Sequence, residues 1–335
     1  MVSLKVVSIG GFGHSASVFD EMHCMTEAQL VAFAPALSGE NLDVVTNHKI
    51  YNKHVRFFED YRQMLKTIQP DVAIVSTRLN MISEVATEAA LAGCHLICEK
   101  PLAIDYNSLQ KLRQTVEKTN VKVMAMLSMR AVPVFIAARK AYLRGDIGEV
   151  VLANVRKSYK WGTRPPWFVE RRFYGGTICW VGIHAIDLIN FITGVKFAAV
   201  SAMHSNFAHK DFRQCEDNCS MILELSNGAH ASASLDLCRP SSAGTYNDDW
   251  VRIVGTKGVL EAGTVTNTCC LLAKDAQPQT ITLDSPNMIF RSFLLSLISK
   301  FPPQATTEDA FMLTYVCLCA RDAADNGTVI RVRNG

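Results

Sequence analysis

The stretch Glu99-Lys100-Pro101 contains the side chain best suited to chemistry in this sequence. It follows a short apolar segment, residues 95–98, that is typical of the end of a buried strand. In an open α/β sheet, ligands bind beyond the carboxyl ends of the strands, so we expect Lys100 where substrate and cofactor meet. A lysine there can donate to a substrate hydroxyl and, if desolvated, can move a proton. The alternative is a strand-end lysine that points into water, and the tripeptide alone favours it.

A second candidate is His184, which follows Gly175-Gly176 and stands at the start of a predicted apolar helix. Histidine titrates near neutrality and can pass a proton to or from a hydroxyl. The alternative is a histidine that packs in the core and bonds Asp187 or a carbonyl oxygen. Asp187 itself lies among apolar residues, and we expect it to be structural.

The pattern Gly11-x-Gly13-x-x-Ala16 lies between a predicted strand, residues 5–9, and a predicted helix. The first glycine permits a tight turn, the second lets the backbone approach a pyrophosphate, and the small third residue lets helix and strand pack closely. The amino terminus of the helix then offers free N–H groups to phosphates. The pattern predicts a dinucleotide site formed by Gly11, Phe12, Gly13 and His14.

The predicted second strand, residues 30–34, lacks the carboxylate that such sites use to bind the ribose. Residues 35–38, Pro-Ala-Leu-Ser, follow it directly. Three interpretations remain open: Ser38 or a neighbour binds the ribose, the cofactor is NADP, or binding is weak.

The elements that must position these residues differ between the two halves of the chain. Apolar strands and helices alternate up to residue 126, which predicts a doubly wound parallel sheet of the Rossmann type. Several strands linked by short turns then predict an α+β domain with a mostly antiparallel open sheet. We therefore expect an α/β protein with a dinucleotide-binding domain over residues 1–126. A substrate-binding and oligomerisation domain is expected over residues 127–335.

Composition excludes several classes of protein. Of the 335 residues, 49% are hydrophobic and 19% are charged, which describes a well-buried globular chain. A net charge of +3 gives no reason to expect a nucleic-acid partner. We find no apolar run of the roughly 20 residues that span a bilayer and no signal peptide, so no membrane partner is expected. Eleven cysteines without CxxC spacing indicate buried thiols in a reducing cytoplasm, and no metal is expected.

Taken in this order, the motifs resemble the Gfo/Idh/MocA oxidoreductases, the relatives of glucose–fructose oxidoreductase and inositol dehydrogenase. The matching segments are the glycine turn, Glu99-Lys100-Pro101, residues 144–150, Gly182-x-His184-x-x-Asp187 and residues 255–261. The resemblance implies NAD or NADP as cofactor, and hydride transfer at a carbinol carbon of a sugar, cyclitol or related polyol. It also fits a homodimer or homotetramer that buries the open sheet of the second domain.

The resemblance also assigns roles to residues. Lys100 would anchor and polarise the reacting hydroxyl, and His184 would act as acid and base. Glu99 would lie near the nicotinamide ribose, and the Lys100-Pro101 peptide bond is a candidate for the cis form. The expected cofactor-binding set is Gly11, Phe12, Gly13, His14, Ser38, Thr77, Leu79, Glu99, Lys100 and Pro101.

The chain departs from the family pattern at several positions. Trp180 replaces an aspartate that commonly precedes the histidine by four residues, and Thr77-Arg78-Leu79 replaces Thr-Pro-Asn. Trp180 can stack on a sugar face or simply pack. Trp161 and Arg164 are further candidates to line the substrate, although Trp161 can equally pack a subunit contact. These departures keep a second hypothesis open, a non-catalytic NAD(P)-binding sensor or regulator of the same fold.

Overall fold

The computed structural model describes residues 3–274, 276–299 and 302–333. Its strands, in chain order, are β1 (Leu4–Ile9), β2 (Ala28–Ala34), β3 (Arg56–Phe57), β4 (Val72–Val75), β5 (His95–Cys98), β6 (Val123–Ala125), β7 (Val150–Lys160), β8 (Phe197–Ser205), β9 (Asn218–Leu225), β10 (His230–Arg239), β11 (Asn247–Gly255), β12 (Gly258–Gly263), β13 (Thr268–Ala273), β14 (Gln279–Thr280) and β15 (Ile330–Arg331).

The α-helices are α1 (Ser15–His23), α2 (Asp43–Thr46), α3 (Tyr61–Ile68), α4 (Ile82–Leu91), α5 (Tyr106–Thr119), α6 (Pro133–Leu143), α7 (Arg171–Tyr174), α8 (Ile183–Thr193), α9 (Ile289–Ile298) and α10 (Thr307–Asn326). A π-helical turn, Ile178–Gly182, leads directly into α8. Short 3-10 turns include Leu79–Met81 before α4 and Ser128–Ala131 before α6.

The chain divides into two compact units. The first comprises Met1–Met126 and Met288–Thr314, and the second comprises Leu127–Asn287 and Tyr315–Gly335. The predicted domains place residues 288–314 in the second domain, whereas these residues pack with the first unit. Two hydrogen bonds show how: Thr307 Oγ1 accepts from the Val123 amide at 2.9 Å, and Thr314 Oγ1 accepts from the Leu102 amide at 3.2 Å.

The first unit is built on a six-stranded sheet in the order β3-β2-β1-β4-β5-β6, with every pair of neighbouring strands parallel. Parallel sheets are covered on both faces, so their central strands are apolar throughout rather than alternating. All four residues of β4 are buried, as are Leu96, Ile97 and Cys98 of β5. This sheet confirms the predicted doubly wound Rossmann architecture. The carboxyl ends of β1, β4 and β5 lie side by side at its centre.

The second unit contains a nine-stranded sheet in the order β14-β13-β12-β11-β7-β10-β9-β8-β15. Its strand pairs are antiparallel except for β7 with β10, which run parallel. Burial alternates along β10, so one face of the sheet is buried and the other is accessible. Helices α6 and α8 pack against the buried face. The predicted mostly antiparallel open sheet is confirmed.

Helix α8 is the central helix of the second unit, and all eleven of its residues are buried. The stretch Arg171–Thr193 that contains it has a mean hydropathy of 1.4 over its most apolar window and is long enough to cross a membrane. No apolar run of this length was predicted from the sequence. Because 94% of that window is buried inside the protein, we describe it as a core helix.

Candidate active site

At its two glycines, the turn after β1 lies too close to its neighbours for a side chain. A Cβ at Gly11 would collide with the Asn41 carbonyl oxygen, and one at Gly13 would collide with the Glu99 carboxylate. Gly13 also has a φ of +97°, which favours glycine. The Phe12 amide donates to the Ser76 carbonyl at 2.8 Å, which ties the turn to the end of β4. The turn is therefore a rigid, glycine-dependent cradle at the carboxyl edge of the sheet.

Glu99 is fully buried and braces this cradle from the end of β5. Its Oε2 accepts from the His14 amide at 2.6 Å and lies 2.8 Å from His14 Nδ1, while its Oε1 accepts from the Lys100 amide at 2.9 Å. Burial alone would raise the pKa of Glu99. The charge and hydrogen bonds of His14, together with nearby Lys100, outweigh burial and hold that pKa below its ordinary value. Glu99 is therefore an anion throughout the neutral range.

Lys100 follows Glu99, and its side chain is only 2% exposed. Its Nζ lies 4.0 Å from Glu99 Oε1, so a carboxylate faces the buried ammonium. The peptide bond to Pro101 is cis, which confirms the expectation from the sequence. A buried ammonium beside a dinucleotide cradle can donate hydrogen bonds to a hydroxyl and stabilise negative charge on its oxygen.

Two hydroxyls beside the cradle fit a polar ligand. Thr77 follows β4, Ser15 is the first residue of α1, and their side-chain oxygens are buried without a hydrogen-bond partner. Buried polar groups without a partner are rare in folded proteins and indicate a missing ligand or water. Together with the glycine cradle and the amino terminus of α1, they fit the phosphates of a dinucleotide. Leu79, also expected to contact the cofactor, is buried in the next turn.

The loop after β2 contains a carboxylate that the sequence analysis missed. Glu40 Oε2 accepts from the amides of Ala36 at 2.9 Å and Leu37 at 3.3 Å. Its Oε1 accepts from the Gly11 amide at 3.4 Å. Ser38, the expected ribose ligand, lies exposed in the same loop. The acidic group next to the first glycine thus comes from further along the chain than the strand end.

In the second unit, His184 is the second residue of α8 and is only 3% exposed. One turn further along, Asp187 accepts two hydrogen bonds from Arg130, from Nε at 2.9 Å and from a terminal nitrogen at 2.6 Å. Both partners are buried, so this ion pair fixes α8 to the turn that precedes α6. This geometry supports the expected structural role of Asp187.

The entry to α8 is held by another buried carboxylate, Glu216. It accepts from the Tyr174 hydroxyl at 2.6 Å and from the Thr177 amide at 2.9 Å, and Arg171 lies 3.3 Å away. These contacts fix both ends of the turn Gly175-Gly176. The start of the helix that carries His184 is therefore anchored on two sides.

Three of the four predicted substrate residues of the second unit, Trp161, Arg164 and Trp180, lie in one aromatic cluster, whereas the fourth, His184, is not among the contacts that define it. Arg164 Cζ lies 5.2 Å from the centre of the Trp161 ring and 5.6 Å from that of Phe168, and Phe168 contacts Trp180 edge-on at 6.3 Å. Trp161 also stacks on His209, with 3.8 Å between the ring centres, and meets the edge of the Phe212 ring. We define the aromatic cluster as Trp161, Arg164, Phe168, Trp180, His209 and Phe212.

The structure thus groups the predicted residues within each unit. In the first unit it brings together Gly11, Phe12, Gly13, His14, Thr77, Glu99 and Lys100, and in the second it brings together Trp161, Arg164 and Trp180. Sequence reasoning missed Glu40, Phe168, His209 and Phe212. Only Glu40 had a usable signal, as the first carboxylate after β2. The described residues contain no group of three or more His, Cys, Asp or Glu side chains suited to a metal ion.

Comparison with known families identifies the class of protein that this fold defines. Residues 4–127 match the oxidoreductase family with an NAD-binding Rossmann fold, and residues 135–261 match the GFO/IDH/MocA carboxy-terminal domain. The chain therefore belongs to the GFO/IDH/MocA family of oxidoreductases. A solved Thermotoga maritima protein assigned as an oxidoreductase is 32% identical, with a TM-score of 0.93 over 98% of this chain and 100% of that one.

Curated relatives are more distant. Levoglucosan dehydrogenase from Pseudarthrobacter phenanthrenivorans is 26% identical over 221 residues, and inositol 2-dehydrogenase from Rhizobium meliloti is 28% identical over 195 residues. These alignments cover 62% and 57% of this chain but only 55% and 57% of the relatives. The solved structure of levoglucosan dehydrogenase with NADH shares the fold, with a TM-score of 0.83 at 18% identity over 99% of each chain.

Proposed function

We propose that the protein is a cytoplasmic NAD(P)-dependent dehydrogenase that acts on a carbinol carbon of a sugar, cyclitol or related polyol. The observation that carries this proposal is Lys100, a buried ammonium directly after the carboxylate that braces the glycine cradle. The substrate class rests on two relatives, a levoglucosan dehydrogenase and an inositol 2-dehydrogenase.

Lys100 and His184 divide the work on the reacting hydroxyl in this proposal. The nicotinamide, when bound, takes up or supplies the hydride. Lys100 donates a hydrogen bond to the substrate oxygen and stabilises the negative charge that develops as the oxygen loses its proton. His184, in its neutral form, accepts that proton during oxidation and returns it during reduction. That both side chains act on the same hydroxyl is part of the proposal.

The aromatic cluster supports a hydroxylated ligand in the second unit. Aromatic faces suit the C–H surfaces of sugars and cyclitols, and the Arg164 guanidinium offers hydrogen bonds to oxygen atoms. Arg164 Nε is buried without a hydrogen-bond partner, which leaves a donor available to a ligand. We propose that Trp161, Arg164 and Trp180 line the substrate.

The experiment is a turnover assay with the Lys100→Ala variant. Purified protein is incubated with a panel of sugars, cyclitols and sugar acids while nicotinamide absorbance is followed. We expect Lys100→Ala to lower kcat/KM by about 10²–10³, the usual cost of removing one donor that stabilises a developing oxyanion. The Kd for NADH is measured on the same variant, so that a loss of cofactor binding is separated from a loss of turnover. Lys118→Ala, at the exposed end of α5, is the matched control and should leave both values unchanged.

One outcome would replace this proposal with the sensor hypothesis. Tight binding of NADH or NADPH without turnover on any member of a broad panel would show that the fold binds the cofactor and performs no hydride transfer. A Lys100→Ala variant as active as the parent would reject the assigned role of Lys100 alone.

A further inference from the structure

We propose that Glu40 replaces the missing strand-end carboxylate, binds the adenosine ribose hydroxyls, and makes the protein prefer NAD(H) over NADP(H). This inference rests on the proposed function, because it concerns the cofactor of the same site. The residues directly after β2 do not decide between NAD and NADP, since residues 35–38 contain no acidic side chain.

The loop after β2 folds back so that Glu40 reaches the glycine cradle. The Glu40 amide donates to the Leu37 carbonyl at 3.1 Å, and Gly39 has a φ of +74°, so residues 37–40 form a tight turn. The next residue, Asn41, lies against Gly11 so closely that a Cβ there would not fit. The carboxylate therefore lies at the first glycine of the fingerprint, although it comes six residues after the end of β2.

The Glu40 carboxylate can accept further hydrogen bonds. An ionised carboxylate has roughly four acceptor positions. Oε2 uses two of them for the amides of Ala36 and Leu37, and Oε1 accepts one long bond of 3.4 Å from Gly11. Oε1 therefore has capacity for a ribose hydroxyl. The two shorter bonds hold the carboxylate in place for that contact.

The Glu40 carboxylate also disfavours the 2′-phosphate that distinguishes NADP(H) from NAD(H). A phosphate carries close to two negative charges near neutrality, and an unscreened carboxylate beside it is strongly repulsive. Residues 35–42 contain no Lys, Arg or His that could pair with the phosphate. On the neighbouring strand β3, Arg56 lies over the Phe58 ring with its Cζ 4.8 Å from the ring centre. The register partner of Arg56 is Ala32, so the Arg56 backbone lies two residues back from the end of β2, where the Glu40 loop begins.

Direct binding of NADH and NADPH tests this inference without any substrate. Dissociation constants are measured by cofactor fluorescence or calorimetry for the parent protein, Glu40→Gln and Asp43→Asn. The parent should bind NADH at least about tenfold more tightly than NADPH. Glu40→Gln should weaken NADH about tenfold, the value of one charged hydrogen bond, and bring the two constants within about threefold. Asp43→Asn removes an exposed charge three residues away and should leave the ratio unchanged.

Several results would overturn the inference. A parent protein that binds NADPH as well as NADH would exclude it, as would a Glu40→Gln variant that folds with an unchanged Tm and keeps the parent ratio. The latter would mean that Glu40 only braces its loop. Failure to bind either cofactor would reject it together with the proposed function. If the protein prefers NADH but performs no turnover, the role of Glu40 is supported and the dehydrogenase proposal is rejected. If the protein turns over a substrate but prefers NADPH, the dehydrogenase proposal stands and the role of Glu40 is rejected.

Discussion

At the scale of single residues, the molecule concentrates charge at one point of the first unit. Glu99 is buried and accepts from the amides of His14 and Lys100, and the Lys100 ammonium lies close by. A buried carboxylate is tolerated only when such partners compensate for its lost hydration. Glu99 thus links the end of β5 to the cradle, and its ionisation supports the local structure.

We predict that Glu99→Gln weakens the fold in a pH-dependent way. The pKa of Glu99 is lowered in the folded protein, so its contribution to stability is complete above the ordinary value of 4.5 and disappears as pH falls through the folded pKa. At pH 7 the variant should lose about 2 kcal/mol, the value of a hydrogen bond to a charged group. The loss should shrink as the pH is lowered below 4.5.

Urea unfolding of the parent and variant at several pH values measures this effect. Glu59→Gln, the same substitution at an exposed position, serves as the control and should be neutral at every pH. A constant deficit for Glu99→Gln across the acid range would contradict a role for its ionisation.

At the scale of elements, strands β7 and β11 share a fully buried ion pair. Lys157 and Asp249 face each other directly in the antiparallel register, and the Lys157 Nζ lies 2.5 Å from Asp249 Oδ1. Burial lowers the pKa of Lys157 although Asp249 acts in the opposite direction. Lys157 Nζ also lies 3.2 Å from Met129 Sδ and 5.1 Å from the centre of the Tyr159 ring. The pair therefore ties the centre of the sheet to the turn before α6.

We predict that Lys157→Met destabilises the second unit by about 3–5 kcal/mol, because it leaves the Asp249 charge buried without its partner. The double variant Lys157→Met with Asp249→Leu removes both charges and should regain most of that loss. Denaturant unfolding of the parent, both single variants and the double variant provides the four values of a double-mutant cycle. Additive losses would show that the pair does not act as a unit.

At the scale of the whole molecule, the open face of the nine-stranded sheet carries several exposed apolar side chains. Ile222 on β9 is 62% exposed, and Leu152 on β7 and Leu272 on β13 are exposed on the same face. Polar pairs such as Asn154 with Ser232 lie between them. An apolar patch interspersed with polar groups is typical of an interface between subunits. We propose a second copy of this chain as the partner.

We predict that Ile222→Glu disrupts this assembly. A buried negative charge at the centre of an apolar contact should weaken association by about 2–4 kcal/mol, roughly 30- to 1,000-fold in Kd. Sedimentation velocity over a range of protein concentrations measures the shift. Leu143→Glu, at the exposed end of α6, introduces the same charge away from the sheet and should leave the assembly intact. A parent protein that is monomeric at all concentrations would reject this surface as a subunit interface.

Local features were predictable from the sequence because they depend on neighbours in the chain. The apolar runs of β4 and β5, the turn at Gly11 and Gly13 and the buried helix around His184 follow from periodicity and from glycine's conformational freedom. The roles of Lys100 and His184 stay predictions, because neither follows from position alone. Residues 288–314 could not be assigned to the first unit, because packing of distant segments leaves no periodic signal.

The sequence by itself determined the class of fold, the glycine cradle and the identity of the groups that can do chemistry. Only the tertiary structure decided which distant groups meet. It turned Glu40 back to Gly11, stacked Trp161 on His209 and placed Lys157 opposite Asp249. The physical reason is that turns and strand periodicity are properties of a few adjacent residues. Loop closure and strand register, in contrast, are settled by the balance of burial and hydrogen bonding over the whole unit.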